Sequence, residues 1–290
     1  MGILDSAKAE VASTPLIITL LSPPGMGKTM TACTFPKVFL VRTQGESVPR
    51  DLAKYGIEAP FSLGITDTEQ KLIDQLSALL RDEHDFHTLL IDSVTGLEAM
   101  FIEQVVADDP KATNIQMAAG GYGAGRKVVA AKHMRVRKAA EMLRAKRKMN
   151  VIFLAHSDIN RLDPPDQESF TQYGLRLHKE SEAPYIDQTD LVGLIKQPTA
   201  LIGEDRKRAI GTGDERVLVC TATPAAVTKN RLGITDEIDI ELGKNPLAKF
   251  LGNRRPAAVP KVKPEAKATE PEPTTEAEEF TADDFVEAFN

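Results

Sequence analysis

Short apolar runs, each stopped by a polar or glycine-rich turn, alternate along this chain with longer stretches whose apolar positions recur at helical spacing. Leu16 to Leu21 is the first run, and a Pro/Gly turn and a segment that can be helical follow it. Lys37 to Val41 is the second. Leu72, Ile73, Leu76, Leu79 and Leu80 predict a covering helix within residues 67 to 83. A third apolar run, from His87, ends at Asp92 and Ser93, and residues 94 to 107 read as helix. Residues 126 to 148 predict a long helix whose Val128, Val129, Met134, Ala139, Met142 and Leu143 pack on a sheet. Asn150 to Ala155 predicts a buried strand that ends at His156, and Tyr185 to Lys196, Arg216 to Thr221 and Val227 to Leu242 supply further strand-like segments. A polar, hairpin-like stretch with Gly203, Gly211 and Gly213 lies among the last of these. Short buried strands alternating with helices predict an α/β fold with a mostly parallel central sheet flanked by helices.

Two stretches break the pattern. Ala118 to Gly125 is rich in glycine and reads as a mobile loop. Asp158 to Glu182 has little periodicity and mixes Arg161, Phe170, Tyr173, Arg176, His178 and Lys179, a basic and aromatic interleaving that suits unpaired bases and their phosphates; an irregular surface loop is the competing reading.

The first strand-turn-helix unit carries the sharpest chemistry. Ser22, Pro23, Pro24, Gly25, Met26, Gly27, Lys28, Thr29 and Met30 form a glycine-rich turn that opens a helix, the context of a Walker A phosphate loop. In such a loop backbone N–H groups converge on the β-phosphate, which here leaves Lys28 to reach the β and γ oxygens and Thr29 to ligate Mg2+. Ser22 stands where the usual pattern has glycine, and a residue this small still permits the turn. Asp92, at the end of an apolar strand about sixty residues later, suits a Walker B carboxylate that orients the metal. Ser93 follows it, so the carboxylate that activates water must come from elsewhere; Glu46 is the natural source and Gln44 the alternative in the same loop. His156, at the predicted end of its strand, is placed to sense the γ-phosphate. Lys229 and Arg231, two apart on a strand-like segment, point the same way and can reach a neighbouring subunit's γ-phosphate.

Charge refines this picture. Residues 126 to 148 carry ten Lys and Arg against the single acid Glu141, a run that either lies against phosphates or forms the solvated face of an outer helix. From Pro256 onward nine acids face three lysines, whereas the rest of the chain holds 33 charges of each sign, so the whole net charge of -6 sits in the tail. A tail rich in Pro, Ala, Glu and Thr cannot bury a core and is expected to be disordered. Phe280, Phe285 and Phe289 punctuate its acidic end, which reads either as a plain solubilising tail or as a partner-binding peptide. The 290 residues, 42% hydrophobic, divide on this reading into an arm at 1–14, one domain at 15–252 and a tail at 253–290. Cys33 and Cys220 offer no disulfide framework, no apolar run reaches the length of a membrane span, and no signal peptide is visible, which together suggest the cytoplasm. The start Met1 to Ser6 matches the loose myristoylation pattern without any second membrane signal.

The set PPGMGKT, LLIDSV and VTKNRLGITDEIDIEL resembles the RecA-superfamily ATPase core over roughly residues 15 to 245. The Lys-Asn-Arg-x-Gly run is similar to the motif of the RadA branch, with Leu232 where that motif has Phe. The compact chain looks more like the phage-encoded single-core proteins, including Sak-type single-strand annealing proteins and related phage AAA-type nucleotide-binding ATPases. The resemblance implies a RecA-like ASCE P-loop core that binds ATP and Mg2+ through residues 22–30 and Asp92. It also implies Lys229 and Arg231 acting across a homo-oligomer interface, His156 in the place of a polar γ-phosphate sensor, and two DNA-facing loops at 118–125 and after His156. The acid that the family places directly at the end of the second strand is Gln44 here, with Glu46 two positions later, and slow or DNA-dependent hydrolysis would follow. The expected function is a DNA-dependent ATPase that binds single-stranded DNA and promotes annealing or strand exchange in phage recombination within a bacterial host cell. The tail would either compete with DNA for those loops or recruit a single-strand-binding or replication protein. A replicative, helicase-like motor or loader, and a nucleotide-gated DNA-binding protein with little hydrolysis, are the alternatives.

Overall fold

The computed structural model describes residues 15–251 apart from 167, 203–207 and 212, with the backbone alone for 199–202 and 208–211. The predicted arm and acidic tail, with Phe280, Phe285 and Phe289, lie outside the described residues. In chain order the elements are β1 (Ile17–Ser22), α1 (Lys28–Cys33), β2 (Val38–Thr43), β3 (Ile65–Thr66), α2 (Glu69–Arg81), β4 (Thr88–Asp92) and α3 (Val94–Ala107). Then follow α4 (Ala124–Met142), β5 (Asn150–Leu162), β6 (Phe170–Leu175), α5 (Ala183–Ile186), β7 (Leu191–Lys196), β8 (Thr199–Ile202) and β9 (Arg208–Gly211). Short strands β10 (Val217–Val219), β11 (Lys229–Asn230) and β12 (Ile238–Asp239) complete the set.

The main sheet runs β12-β10-β7-β1-β5-β4-β2-β3, parallel from β7 to β3, with β10, β12 and β11 antiparallel at one side. The fold is therefore α/β, with a mostly parallel sheet flanked by helices. Every residue of β1 and β4 is buried, because helices or the C-terminal segment cover both sheet faces and no position is left for a polar alternation. Ile17, Leu21, Val151 and Phe153 pack on one face with α2, α3 and α4, while Ile18, Leu20, Ile152 and Leu154 pack on the other with α1. Strand β5 lies between β1 and β4, and this insertion brings their carboxyl ends together around one residue of β5.

Three local expectations are corrected. The strand through Asn150 does not end at His156; it runs on to Leu162 and pairs antiparallel with β6, so Asp158 to Glu182 is largely a β-hairpin and not an irregular loop. Beyond Ser157 its residues are exposed on both faces, so the ladder with β6 holds it and no burial pattern reveals it in sequence. Tyr185 to Lys196 is not one strand: α5 buries Tyr185 before β7 begins at Leu191. On α4 and the helical turn that continues it, Val129, His133, Val136, Ala140 and Leu143 form the buried stripe at i, i+4, i+7 spacing, which leaves Val128 and Met134 exposed instead of on the sheet.

Part of the basic run at 126–148 is engaged within the protein. Lys132 and Arg135 face Glu69 of α2, Arg137 and Arg144 hold Glu141, Arg144 also pairs with Asp190 at 3.0 Å, and Arg147 donates to the Asp82 carbonyl. These contacts tie α4 to α2 and to the start of β7. Among the described residues no helix is long and apolar enough to cross a membrane.

Candidate nucleotide site

Strand β1 delivers Ser22 as its last paired residue, opposite His156 of β5. The Ser22 hydroxyl donates to the Pro23 carbonyl at 2.8 Å, so the serine completes the strand and the turn is made beyond it. Gly25 and Gly27 have φ of +80° and +79°, a left-handed conformation that glycine adopts without strain. Gly27 meets a second demand: a Cβ there would lie 2.4 Å from Arg216 Nη1. Gly27 caps α1, and Lys28 follows with its side chain buried over the carboxyl end of the sheet.

The phosphate-loop and metal candidates converge. Thr29 Oγ1 donates to Asp92 Oδ2 at 2.7 Å. Lys28 Nζ lies 3.1 Å from His156 Nδ1 and donates to it, since an ammonium is only a donor. That bond fixes the tautomer, so the proton on His156 Nε2 is donated to Glu46 Oε1 at 2.9 Å. The Ser93 hydroxyl donates to the same oxygen at 2.8 Å. Lys28, His156, Glu46 and Ser93 thus form one continuous chain of hydrogen bonds.

Of the two candidates for handling water, the structure brings in only Glu46. Gly45, at φ +88°, turns the chain directly after β2, and the Glu46 N–H bonds back to the Thr43 carbonyl at 3.3 Å. The turn carries the Glu46 side chain over Ser93 and leaves Gln44 exposed outside the network. Thr43 itself anchors the metal strand, its hydroxyl donating to the Asp92 carbonyl at 3.2 Å and accepting from Ser93 N–H at 3.0 Å.

The electrostatics follow from burial. Desolvation pushes Asp92 up to about 6, and its Oδ1 is buried without a partner. Desolvation also lowers the Lys28 ammonium, against the attraction of Asp92 and Glu46. The hydrogen bond from His156, then that from Ser93, keeps Glu46 below the usual carboxylate range despite its burial. A partnerless carboxylate oxygen beside a threonine hydroxyl is the hard-oxygen set that Mg2+ takes, so these residues fit the metal. Beside the loop, a cavity of about 240 Å³ is lined by Met30, Thr31, Thr34, Arg216, Ile240 and Leu242 among others.

Lys229 and Arg231 lie elsewhere. Strand β11 pairs with the beginning of β7, at the amino-terminal edge of the parallel strands, whereas the phosphate loop leaves the carboxyl-terminal edge. Lys229 Nζ donates to the Asp187 carbonyl and the Arg231 N–H to the Asp190 carbonyl at 2.9 Å. Neither joins the network of its own chain.

The two expected DNA-facing stretches differ in character. The hairpin segment from Asp158 to Glu168 bears four acids, Asp158, Asp163, Asp166 and Glu168, against Arg161, which pairs with Asp163 at 3.2 Å; it repels phosphates. The glycine-rich stretch is a short turn tied to the end of α3, where the Asp109 carboxylate accepts the Ala119 N–H at 3.0 Å. It presents a fully exposed Tyr122 ahead of Arg126 and Lys127 on α4.

A family model described as an AAA domain matches residues 14–232. The chain belongs to this AAA-domain family. No match was found among curated proteins. The match spans the phosphate loop, Glu46, Asp92, His156, Lys229 and Arg231, and stops short of the cavity wall at Ile240 to Lys244. It assigns the chain to the nucleotide-binding P-loop ATPases and does not reach the narrower phage annealing branch. Sequence reasoning missed Ser93 as a partner of Glu46, Thr43 as the anchor of Asp92, and Arg216 over Gly27. None of these has a spacing signature, because each contact joins segments far apart in the chain.

Proposed function

We propose that this AAA-domain protein hydrolyses ATP with Mg2+ and uses the nucleotide state to control a single-stranded DNA-binding surface in a homo-oligomer, in the service of annealing or strand exchange. The observation that carries the reading is His156, which bridges Lys28 and Glu46 on the strand that continues into the β5–β6 hairpin. Lys28 leaves His156 for the β and γ oxygens of the triphosphate, and Thr29 and Asp92 would hold Mg2+, which would supply charge neutralisation. Glu46, kept ionised by His156 and Ser93, orients and deprotonates the attacking water. Release of His156 from Lys28 alters the anchor of β5 and, through it, the hairpin root.

Lys229 and Arg231 lie at the opposite edge from their own phosphate loop, so any contact they make with a triphosphate would be with that of a neighbouring copy in an oligomer. For the DNA surface the charge pattern favours Tyr122 with Arg126 and Lys127, a stacking ring beside cations, over the acidic hairpin. The test is ATP turnover by the purified full chain with and without single-stranded DNA, beside Lys28→Ala. Turnover that DNA stimulates and the variant abolishes is expected. Turnover indifferent to DNA removes the DNA reading and leaves the ATPase; turnover surviving in Lys28→Ala removes both.

A further inference from the structure

Arg176 was grouped by sequence with a nucleic-acid loop, yet it stands at the root of the hairpin. Ser157 pairs with Leu175 in the antiparallel ladder, so one step further His156 and Arg176 are directly opposed, and the Arg176 N–H donates to the His156 carbonyl at 2.8 Å. Side chains of directly opposed residues share a face, with Cβ atoms about 4.5–5.5 Å apart. The His156 ring points to Lys28 and Glu46, so the Arg176 side chain leaves the backbone on the phosphate-loop side. Burial is the main cause of the lowered Lys28 pKa, and Arg176 contributes to it, which agrees with a guanidinium in that vicinity.

The surrounding charges leave this arginine without a partner. Glu46 Oε1 accepts from both His156 and Ser93, and Asp92 Oδ2 accepts from Thr29. Among the described residues the Arg176 guanidinium makes no hydrogen bond or ion pair, and the residue is exposed. Lys28 and Arg176 thus lie about His156, and of the two only Lys28 is answered by the carboxylates of Asp92 and Glu46. An anion entering beside Lys28 would give the Arg176 guanidinium the partner it lacks.

We propose that Arg176 is a phosphate ligand acting in cis: its guanidinium binds the terminal phosphate of the nucleoside triphosphate held by Lys28, and so distinguishes triphosphate from diphosphate. The proposal rests on the nucleotide reading given above and deepens it. It makes both roots of the hairpin sensitive to the γ-phosphate, His156 on the outgoing strand and Arg176 on the returning one. It also assigns the site a second cation from its own chain beside Lys28.

Titration of the full-length protein with Mg2+ and either ADP or a non-hydrolysable ATP analogue tests it in Arg176→Ala and Arg176→Lys. Loss of a charge-assisted bond predicts about a 10- to 100-fold weaker affinity for the triphosphate analogue in Arg176→Ala, with ADP affinity within about twofold and partial recovery in Arg176→Lys. Equal loss for both nucleotides, or no loss for either, overturns the proposal, as does weakened single-stranded DNA binding with both nucleotide affinities intact. Mixing Arg176→Ala with Lys28→Ala subunits is expected to restore no hydrolysis, and restored hydrolysis overturns the cis assignment. Wild-type protein that binds neither nucleotide fails the underlying reading, a result distinct from any pattern in the variants.

Discussion

Asp92 is held in the folded protein at a cost that substitution can release. Its carboxyl is buried, one oxygen has no partner, and its pKa rises from 3.8 to about 6. Because the folded value exceeds the unfolded one, the native state retains a proton that the unfolded chain has already lost between pH 3.8 and about 6. Stability contributed by this group therefore falls as pH rises through that window and stays low above it. A shift of about two units corresponds to about 3 kcal/mol at neutral pH. Asp92→Asn keeps an acceptor for Thr29 and removes the charge, so the nucleotide-free variant is expected to be more stable than wild type by about that amount at pH 8. In a domain of this size the gain is about 6–12 °C in Tm. Below pH 4 the two proteins should melt together. Thermal melts in chelator across pH 4 to 8 measure the difference, and Mg2+ with ATP should then reverse the order by stabilising wild type alone. An advantage that does not vary with pH, or a variant less stable than wild type at pH 8, would refute the reasoning.

Glu46→Gln is expected to lower ATP turnover by about 10²- to 10⁴-fold with nucleotide binding retained, whereas Gln44→Ala leaves turnover within about twofold; turnover and binding assays on both variants decide which residue handles water. Gly96→Ala would bring a Cβ within 2.1 Å of Thr43 Oγ1, the hydroxyl that anchors Asp92 and Ser93. About 1–3 kcal/mol of lost stability is expected from the denaturant midpoint, and an unchanged midpoint would show that the contact yields freely. Tyr122→Ala should weaken single-stranded DNA binding by about 1–3 kcal/mol without altering ATP affinity; equal binding by fluorescence anisotropy would move the DNA surface elsewhere.

The sequence alone determined the α/β class, the phosphate loop and the strand ending in Asp92, because each is written locally. A doubly covered strand must be a short apolar run, and the loop needs its glycines, Lys28 and Thr29 within a few residues. The choice between Glu46 and Gln44 was not legible, since it depends on the turn at Gly45 swinging one side chain back over Ser93. Nor was the position of Arg176, whose neighbour in space, His156, lies twenty residues earlier across a hairpin that has no burial pattern to announce it. The basic run at 126–148 read equally as a phosphate-facing stretch or a solvated helix face, and only the fold shows Glu69 and Asp190 engaging part of it. In each case the deciding partner comes from another segment. Pairing of that kind is set by strand order and register, and these are properties of the folded sheet and not of any local stretch of chain.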